Sequence, residues 1–262
     1  MTVSVDDLES GLAELQMGAA PVIIHAALKS FGQVTGAAET VVEALVGSFQ
    51  TILAPVFTYK TMVTPGTGPE NNAIVYGSGQ DTSRMAEFFS QDMPADPLMG
   101  VIPETLRLNP AARRSTHPIH SFAGINAGPF LAVQTLVDPF GPVGALEKSN
   151  GWVLLLGVNH TVNTSIHYAE KLAGRKTFTR WALTPQGVVE CPSFPGCSAG
   201  FEAITPQVEK YTRRTRIDEA LIQAVPLKDL FRVVEGMLKK DPLALLCKRE
   251  DCERCNQIRR LA

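Results

Sequence analysis

Apolar positions along this chain recur first at helical spacing and then as short continuous runs, and the two patterns alternate. Leu8, Leu12 and Leu15 fall at helical spacing within Val5–Met17, behind an acidic start, and predict an amphipathic helix. Pro21–Ile24 is a short apolar run ending at His25 and reads as a buried strand. Beyond the turn-forming Gly32 and Gly36, Ala37–Val46 returns to helical period, and Thr51–Phe57 is a second buried strand. Residues 60–82 are rich in Gly, Thr, Pro and Asn without apolar period, which predicts a long loop of the kind that is commonly functional or disordered. Short helices are expected over Arg84–Phe89 and Gly100–Leu108, punctuated by Pro94, Pro97 and Pro103. Gly151–Val158 is the clearest buried strand, and it feeds a helix from Thr164 to Leu172. Lys176–Leu183 and Val188–Cys191 flank Pro185-Gln186-Gly187 as a hairpin, and helices follow over Phe201–Thr212 and Leu227–Lys239. Strands alternate with helices, with no repeat and no linker-like shift. One α/β domain over residues 1–262 is expected, carrying a Cys-containing tail from about residue 241.

Composition narrows the class of partner. A net charge of −2 argues against a nucleic-acid domain, which usually carries a basic excess. The longest apolar run, Trp152–Val158, is strand-sized and far from the ~20 residues of a membrane span. The acidic start MTVSVDDLES lacks the basic and apolar regions of a signal peptide, and none is expected in it. Five cysteines in a chain with a large core suit a reducing compartment, so a cytoplasmic protein is expected, with neither nucleic acid nor membrane as partner.

Three stretches carry candidate chemistry. Asn163-Thr164-Ser165-Ile166-His167-Tyr168-Ala169-Glu170 follows a buried strand and opens a helix, where free backbone N–H groups attract developing negative charge. His167 in its first turn has the residue type of a general base, with Glu170 close to the same face. The same spacing equally suits a capped helix with a hydrogen-bonded histidine. Arg113 to Ser121 gathers two arginines, hydroxyls and histidines, the donor set of a phosphate site or of an exposed basic turn. His25 to Gly36 puts a histidine at a strand end before Lys29, Ser30 and two glycines, without the order of a P-loop.

In this order the stretches resemble the antibiotic N-acetyltransferase family, typified by aminoglycoside 3-N-acetyltransferases. The matching segments are His25–Gly32, Pro55-Val56-Phe57-Thr58, Met99–Glu104, Arg114–Ser121, and Leu155–Val158 followed by Asn163–Glu170. The resemblance spans roughly residues 20 to 205. Ala26 and Ala27 depart from the family's paired serines, and the Cys-rich tail has no counterpart to transfer. The resemblance implies an α/β fold on a mixed central sheet with flanking helices, distinct from the GNAT fold. It implies acetyl-CoA as cosubstrate and an amine acceptor, the 3-amino group of an aminoglycoside antibiotic, with resistance as the outcome; a non-antibiotic amine is the alternative. The family's catalytic histidine falls on His167 and a later glutamate on Glu202.

An amine attacks a thioester only as the free base, so a site must take a proton and stabilise the thioester oxygen. His167 is assigned the base, Glu202 the group that orients it, and His25 the next catalytic candidate. The opening N–H groups of the Thr164 helix are expected as oxyanion donors. Ser30, Gly32, Arg114, Ser115, His117, Ser121, Asn163 and Thr164 are the residues expected to hold acetyl-CoA. Glu70, Asp81, Glu87, Asp92 and Asp96 offer an acidic cleft for a polycationic acceptor. A hydrolase with a Cys191 or Cys197 nucleophile is the alternative of another class. No metal is expected in the chemistry. Cys247, Cys252 and Cys255, with Cys191 or Cys197, have the residue types for a structural zinc site, but free thiols or a redox pair are favoured.

Overall fold

The computed structural model describes residues 2–77 and 83–262. Seven strands form a mixed central sheet in the order Arg213–Ile217, Ala220–Pro226, Trp152–Leu156, Val22–Ala26, Ile52–Pro55, Phe122–Ile125, Ala112–Arg114. Its middle is parallel: Val22–Ala26 runs parallel to both Trp152–Leu156 and Ile52–Pro55, and every other pairing is antiparallel. This is the mixed α/β architecture expected.

The side-chain period of two along each strand divides the core into two layers. Val22, Ile24, Ile52, Ala54, Leu154 and Leu156 face helices Val5–Glu14, Ala37–Ser48 and Val101–Leu108. Ile23, Leu53, Val153 and Leu155 face the opposite layer, made by helices Gly141–Lys148, Ser165–Leu172 and Leu227–Lys240. Ile23, Leu53 and Leu155 are fully buried, each contributing about 1.5–3 kcal/mol by burial. Because His25 lies two residues after Ile23 and pairs with Leu155 in register, its side chain shares the face on which Ser165–Leu172 packs. The helix following Val22–Ala26 lies on one face and the helix following Trp152–Leu156 on the other. A crevice therefore opens outside the carboxyl ends of these neighbouring parallel strands, the usual ligand position in such sheets.

Several expectations are corrected. The first helix ends at Glu14, since Gln16 adopts a left-handed conformation (φ 51°); its start carries a capping box between Ser4 and Asp7. No helix continues through Ala86–Phe89, because the Glu87 N–H donates to the Lys60 carbonyl and the Phe89 N–H to the Leu183 carbonyl. The segment expected as one helix from Phe201 is instead a 3-10 turn, Phe201–Ile204, then a short helix with Pro206 in its first turn, then a second 3-10 turn. The hairpin is longer than expected, Phe178–Thr184 with Gly187–Phe194, and Met62–Val63 adds to its edge. Asn72 ties the preceding loop to it by bonding both backbone groups of Thr179. The tail ends in a helix, Glu253–Leu261, whose Ile258 packs with Phe178 and Phe194.

Candidate active site

Two loops meet at the crevice. After the Trp152–Leu156 strand the chain turns at Gly157 (φ 67°), so close to the other loop that a Cβ there would lie 2.3 Å from that of Ser30. The Ser30 hydroxyl donates to the Gly157 carbonyl at 2.6 Å. Ser30 thus joins the loops from behind; neither it nor Gly32 lines the cavity they frame. That cavity has a volume of about 790 Å³, and His25, Lys29, Tyr59, His120, Thr164, His167 and Arg254 bring its polar groups.

His167 occupies the first turn of Ser165–Leu172, with its ring against Phe201 and Phe140 at centroid distances of 4.7 and 6.0 Å. Its Nδ1 lies 3.1 Å from Glu170 Oε2, three residues along the helix. The other oxygen, Oε1, lies 3.3 Å from Arg175 Nε, and both residues are buried. Arg175 is held in turn by the carbonyls of Pro242 and Ala244. Nδ1 being engaged, Nε2 is the imidazole nitrogen left for a ligand, with no hydrogen bond among the described residues.

Glu202, expected to orient His167, makes its hydrogen bonds elsewhere. Its Oε2 accepts from the His160 N–H at 2.9 Å and its Oε1 from the Thr205 hydroxyl at 2.8 Å, so it fastens the His160 turn to the Phe201 turn. Nor are the first N–H groups of the helix free for an oxyanion. Ser165 N–H donates to Asn163 Oδ1, Ile166 N–H to the Asn163 carbonyl, and His167 N–H to the Thr164 carbonyl. Asn163 is consumed in this turn, its Nδ2 also lying 3.2 Å from His160 Nδ1. Thr164 lines the cavity with its Oγ1 3.5 Å from His25 Nε2.

Most of the expected acetyl-CoA contacts also look inward. The Arg114 guanidinium donates to Ser121 Oγ and to the carbonyls of Gln91, Met93 and Val56. Ser121 Oγ donates to the Val56 carbonyl, Ser115 Oγ accepts from the Phe122 N–H, and His117 Nδ1 accepts from the N–H groups of Ile119 and His120. The Arg114–Ser121 segment spends its polar groups on its own turn and on the Val56, Gln91 and Met93 carbonyls, and its one member on the cavity is His120, set among Phe57, Phe140 and Phe194. Asp81 lies outside the described residues; no carboxylate is among the described residues lining the cavity, so the expected acidic cleft is not found in its walls. Cationic groups, Lys29 and Arg254, are. Arg254 comes from the terminal helix and bonds the carbonyls of Pro195 and Gly196, a role its place in a Cys-rich tail did not signal. Neither candidate nucleophile reaches the cavity: no cysteine is among the described residues that line it, and burial pushes the Cys191 thiol up to about 12.

Burial dominates the electrostatics. It lowers His25 to about 3, with His160 adding repulsion, and His117 to about 4; His120 and His160 are also lowered, first by burial. All four are neutral at pH 7. Burial raises the Tyr59 phenol to about 12. The folded values lie below the unfolded histidine value, so on acidification the unfolded chain takes up protons first. Stability is fully present above about pH 6.5 and falls as pH drops towards 3–4, at about 1.4 kcal/mol per pH unit for each such histidine. Thermal melts from pH 8 to pH 4 should show a steep fall in Tm beginning near pH 6.5, shallower in His25→Gln. An equal slope in that variant would contradict a neutral buried His25.

Residues 23–239 match the family model described as aminoglycoside 3-N-acetyltransferase. The chain is 30% identical over 227 residues to aminoglycoside N(3)-acetyltransferase III of Salmonella sp, covering 73% of this chain and 75% of the relative. It is 34% identical over 165 residues to aminoglycoside N(3)-acetyltransferase VII of Streptomyces paromomycinus, covering 58% of this chain but only 54% of that relative. The match likewise takes in 32% of the type IV enzyme of Salmonella sp and 59% of the type VIII enzyme of Streptomyces fradiae, so it spans between about a third and three fifths of these curated relatives. Among solved structures, aminoglycoside acetyltransferase AAC(3)-IVa in its apoenzyme form superposes with a TM-score of 0.79 at 23% identity, over 100% of this chain and 99% of that one. At that identity the superposition establishes the fold.

Proposed function

The chain belongs to the aminoglycoside 3-N-acetyltransferase family, and from that premise we propose that it transfers the acetyl group of acetyl-CoA to an amine, the 3-amino group of an aminoglycoside. The observation that carries the reading is the His167–Glu170–Arg175 chain of contacts beside the cavity. With Nδ1–H donated to Glu170, the imidazole keeps Nε2 unprotonated and able to take the amine proton. Glu170 stabilises the imidazolium that results, Arg175 holds Glu170 in place, and the imidazolium can return the proton to the CoA thiolate as it leaves. His25 is too weak a base to compete. As a neutral donor through Nε2–H it turns the Thr164 hydroxyl outward, where it can donate to the thioester oxygen as that oxygen gains charge. Acetyl-CoA supplies the activated acetyl group. Lys29 and Arg254 have the charge to meet its phosphates, and the apolar walls around Met99 and Phe194 suit its pantetheine arm. Because Arg254 comes from the terminal helix, residues 1–262 act as one catalytic unit.

No helix among the described residues is long and apolar enough to cross a membrane. Cysteines outside disulfides and acetyl-CoA are both at home in the cytoplasm, where this reading places the enzyme.

A second acceptor class, an amine of low charge, is favoured by one observation: the cavity walls carry cations and no carboxylate among the described residues. Thiol release from acetyl-CoA, measured against a panel of aminoglycosides and simple monoamines, decides between them. Aminoglycosides should give the highest kcat/KM. A monoamine giving the highest value would move the acceptor to the second class, and release independent of any amine would mean thioester hydrolysis.

A further inference from the structure

We propose that Cys197, Cys247, Cys252 and Cys255 bind one zinc ion as a tetrahedral tetrathiolate that fastens the C-terminal segment to the wall of the cavity. The four Sγ atoms lie within 4.8 Å of one another, although Cys197 is some fifty residues from the rest in sequence. A zinc ion with Zn–S bonds of about 2.3 Å sets its sulfurs about 3.8 Å apart, so the thiols need only a small inward movement to become its ligands. Cys252 and Cys255 have knuckle spacing: Cys252 is the N-cap of Glu253–Leu261 and Cys255 lies in its first turn. The Ala199 N–H points at the Cys197 sulfur at 3.4 Å, the outer contact that a metal-bound thiolate accepts. Four thiolates on Zn²⁺ leave a dianion, and residues 248–260 carry five Lys or Arg against three Asp or Glu. Cys191, the other candidate, points instead into the hairpin core beside Phe178.

A staple is also what this segment lacks. Cys255, Gln257 and Ile258 are the buried residues of the terminal helix, so apolar burial gives it little hold. Yet it carries Arg254 to the cavity, and Cys197 follows Pro195 and Gly196, whose carbonyls Arg254 bonds and which line the same cavity. The metal would fix both sides of that wall at once.

Metal analysis of reduced wild-type protein prepared without chelator should find about one zinc per chain. Cys191→Ser should retain it and Cys255→Ser lose it. Stripped wild-type protein titrated with Co²⁺ should develop the visible bands and sulfur-to-cobalt charge transfer of a tetrahedral thiolate site, saturating at one equivalent; this arm needs no cysteine variant to fold. Chelation should speed hydrogen exchange at residues 194–198 and 252–258 while leaving the Val22–Ala26 strand unchanged. Wild-type protein with less than about a tenth of an equivalent of zinc and no Co²⁺ charge transfer would overturn the proposal. So would a disulfide between any two of the four in protein alkylated at lysis.

Discussion

His167→Ala should lower kcat by about 10²–10⁴-fold while leaving the affinity for acetyl-CoA close to that of the wild type. A positioned general base contributes by that order. A group that acts as the proton moves adds little to ground-state binding, so the loss falls on kcat and kcat/KM together. The ring also packs on Phe140 and Phe201, and its removal leaves a gap in the wall. His167→Asn keeps an N–H donor towards Glu170 without a basic nitrogen, and it should lose turnover by a similar factor at a Tm nearer the wild type. A histidine that served packing alone would lower Tm and leave the turnover of the folded fraction intact.

Glu170→Gln should cost a comparable factor, of order 10²–10⁴-fold in kcat, by fixing the wrong tautomer. The Arg175 guanidinium, with Nε 3.3 Å from the carboxylate, draws the oxygen of the introduced amide by its charge, which turns the amide N–H₂ towards His167 Nδ1. Nδ1 then becomes the acceptor, the proton moves to Nε2, and the nitrogen facing the cavity can no longer take a proton from the amine. Imidazole nitrogen-15 spectra should show the proton on Nδ1 in the wild type and on Nε2 in the variant. Losing the carboxylate also leaves the buried Arg175 without its counter-charge, so stability falls as well and rates must be read per folded enzyme. Glu202→Gln is the matched control: it loosens the His160 turn and should leave kcat near the wild-type value. A Glu202→Gln loss as large as that of Glu170→Gln would return the orienting role to Glu202.

The pair His167 and Glu170 was legible because both lie in one turn-and-helix segment, where three-residue spacing fixes their proximity. Glu202 was not. A sequence shows that a glutamate occurs beyond the helix, but which backbone amide it reaches depends on how two 3-10 turns dock. The same holds for Arg114 to Ser121, since arginine and hydroxyls of this density suit a phosphate site or a self-bonded turn equally. Only the tertiary position of the Val56 and Met93 carbonyls decides between them. The buried central strands were visible as apolar runs. The edge strand Ala112–Arg114 was not, because three residues with two arginines carry no strand pattern. Period-two alternation could have shown that His25 shares the face of Ile23, but not that His120 and Arg254 reach the same cavity from distant segments. Among the cysteines, the Cys252–Cys255 spacing was readable, whereas choosing Cys197 over Cys191 required the hairpin's register.

The central claim is that this chain moves an acetyl group from acetyl-CoA to an amine through His167. Mass analysis of the acceptor after incubation with acetyl-CoA, run in parallel for wild type and His167→Asn, tests it most directly. One acetyl group should be added per acceptor, matched by one free thiol released, with the rate reduced by about 10²–10⁴-fold in the variant. An acceptor left unmodified while thiol is released, or acetylated equally fast by folded His167→Asn, would contradict it.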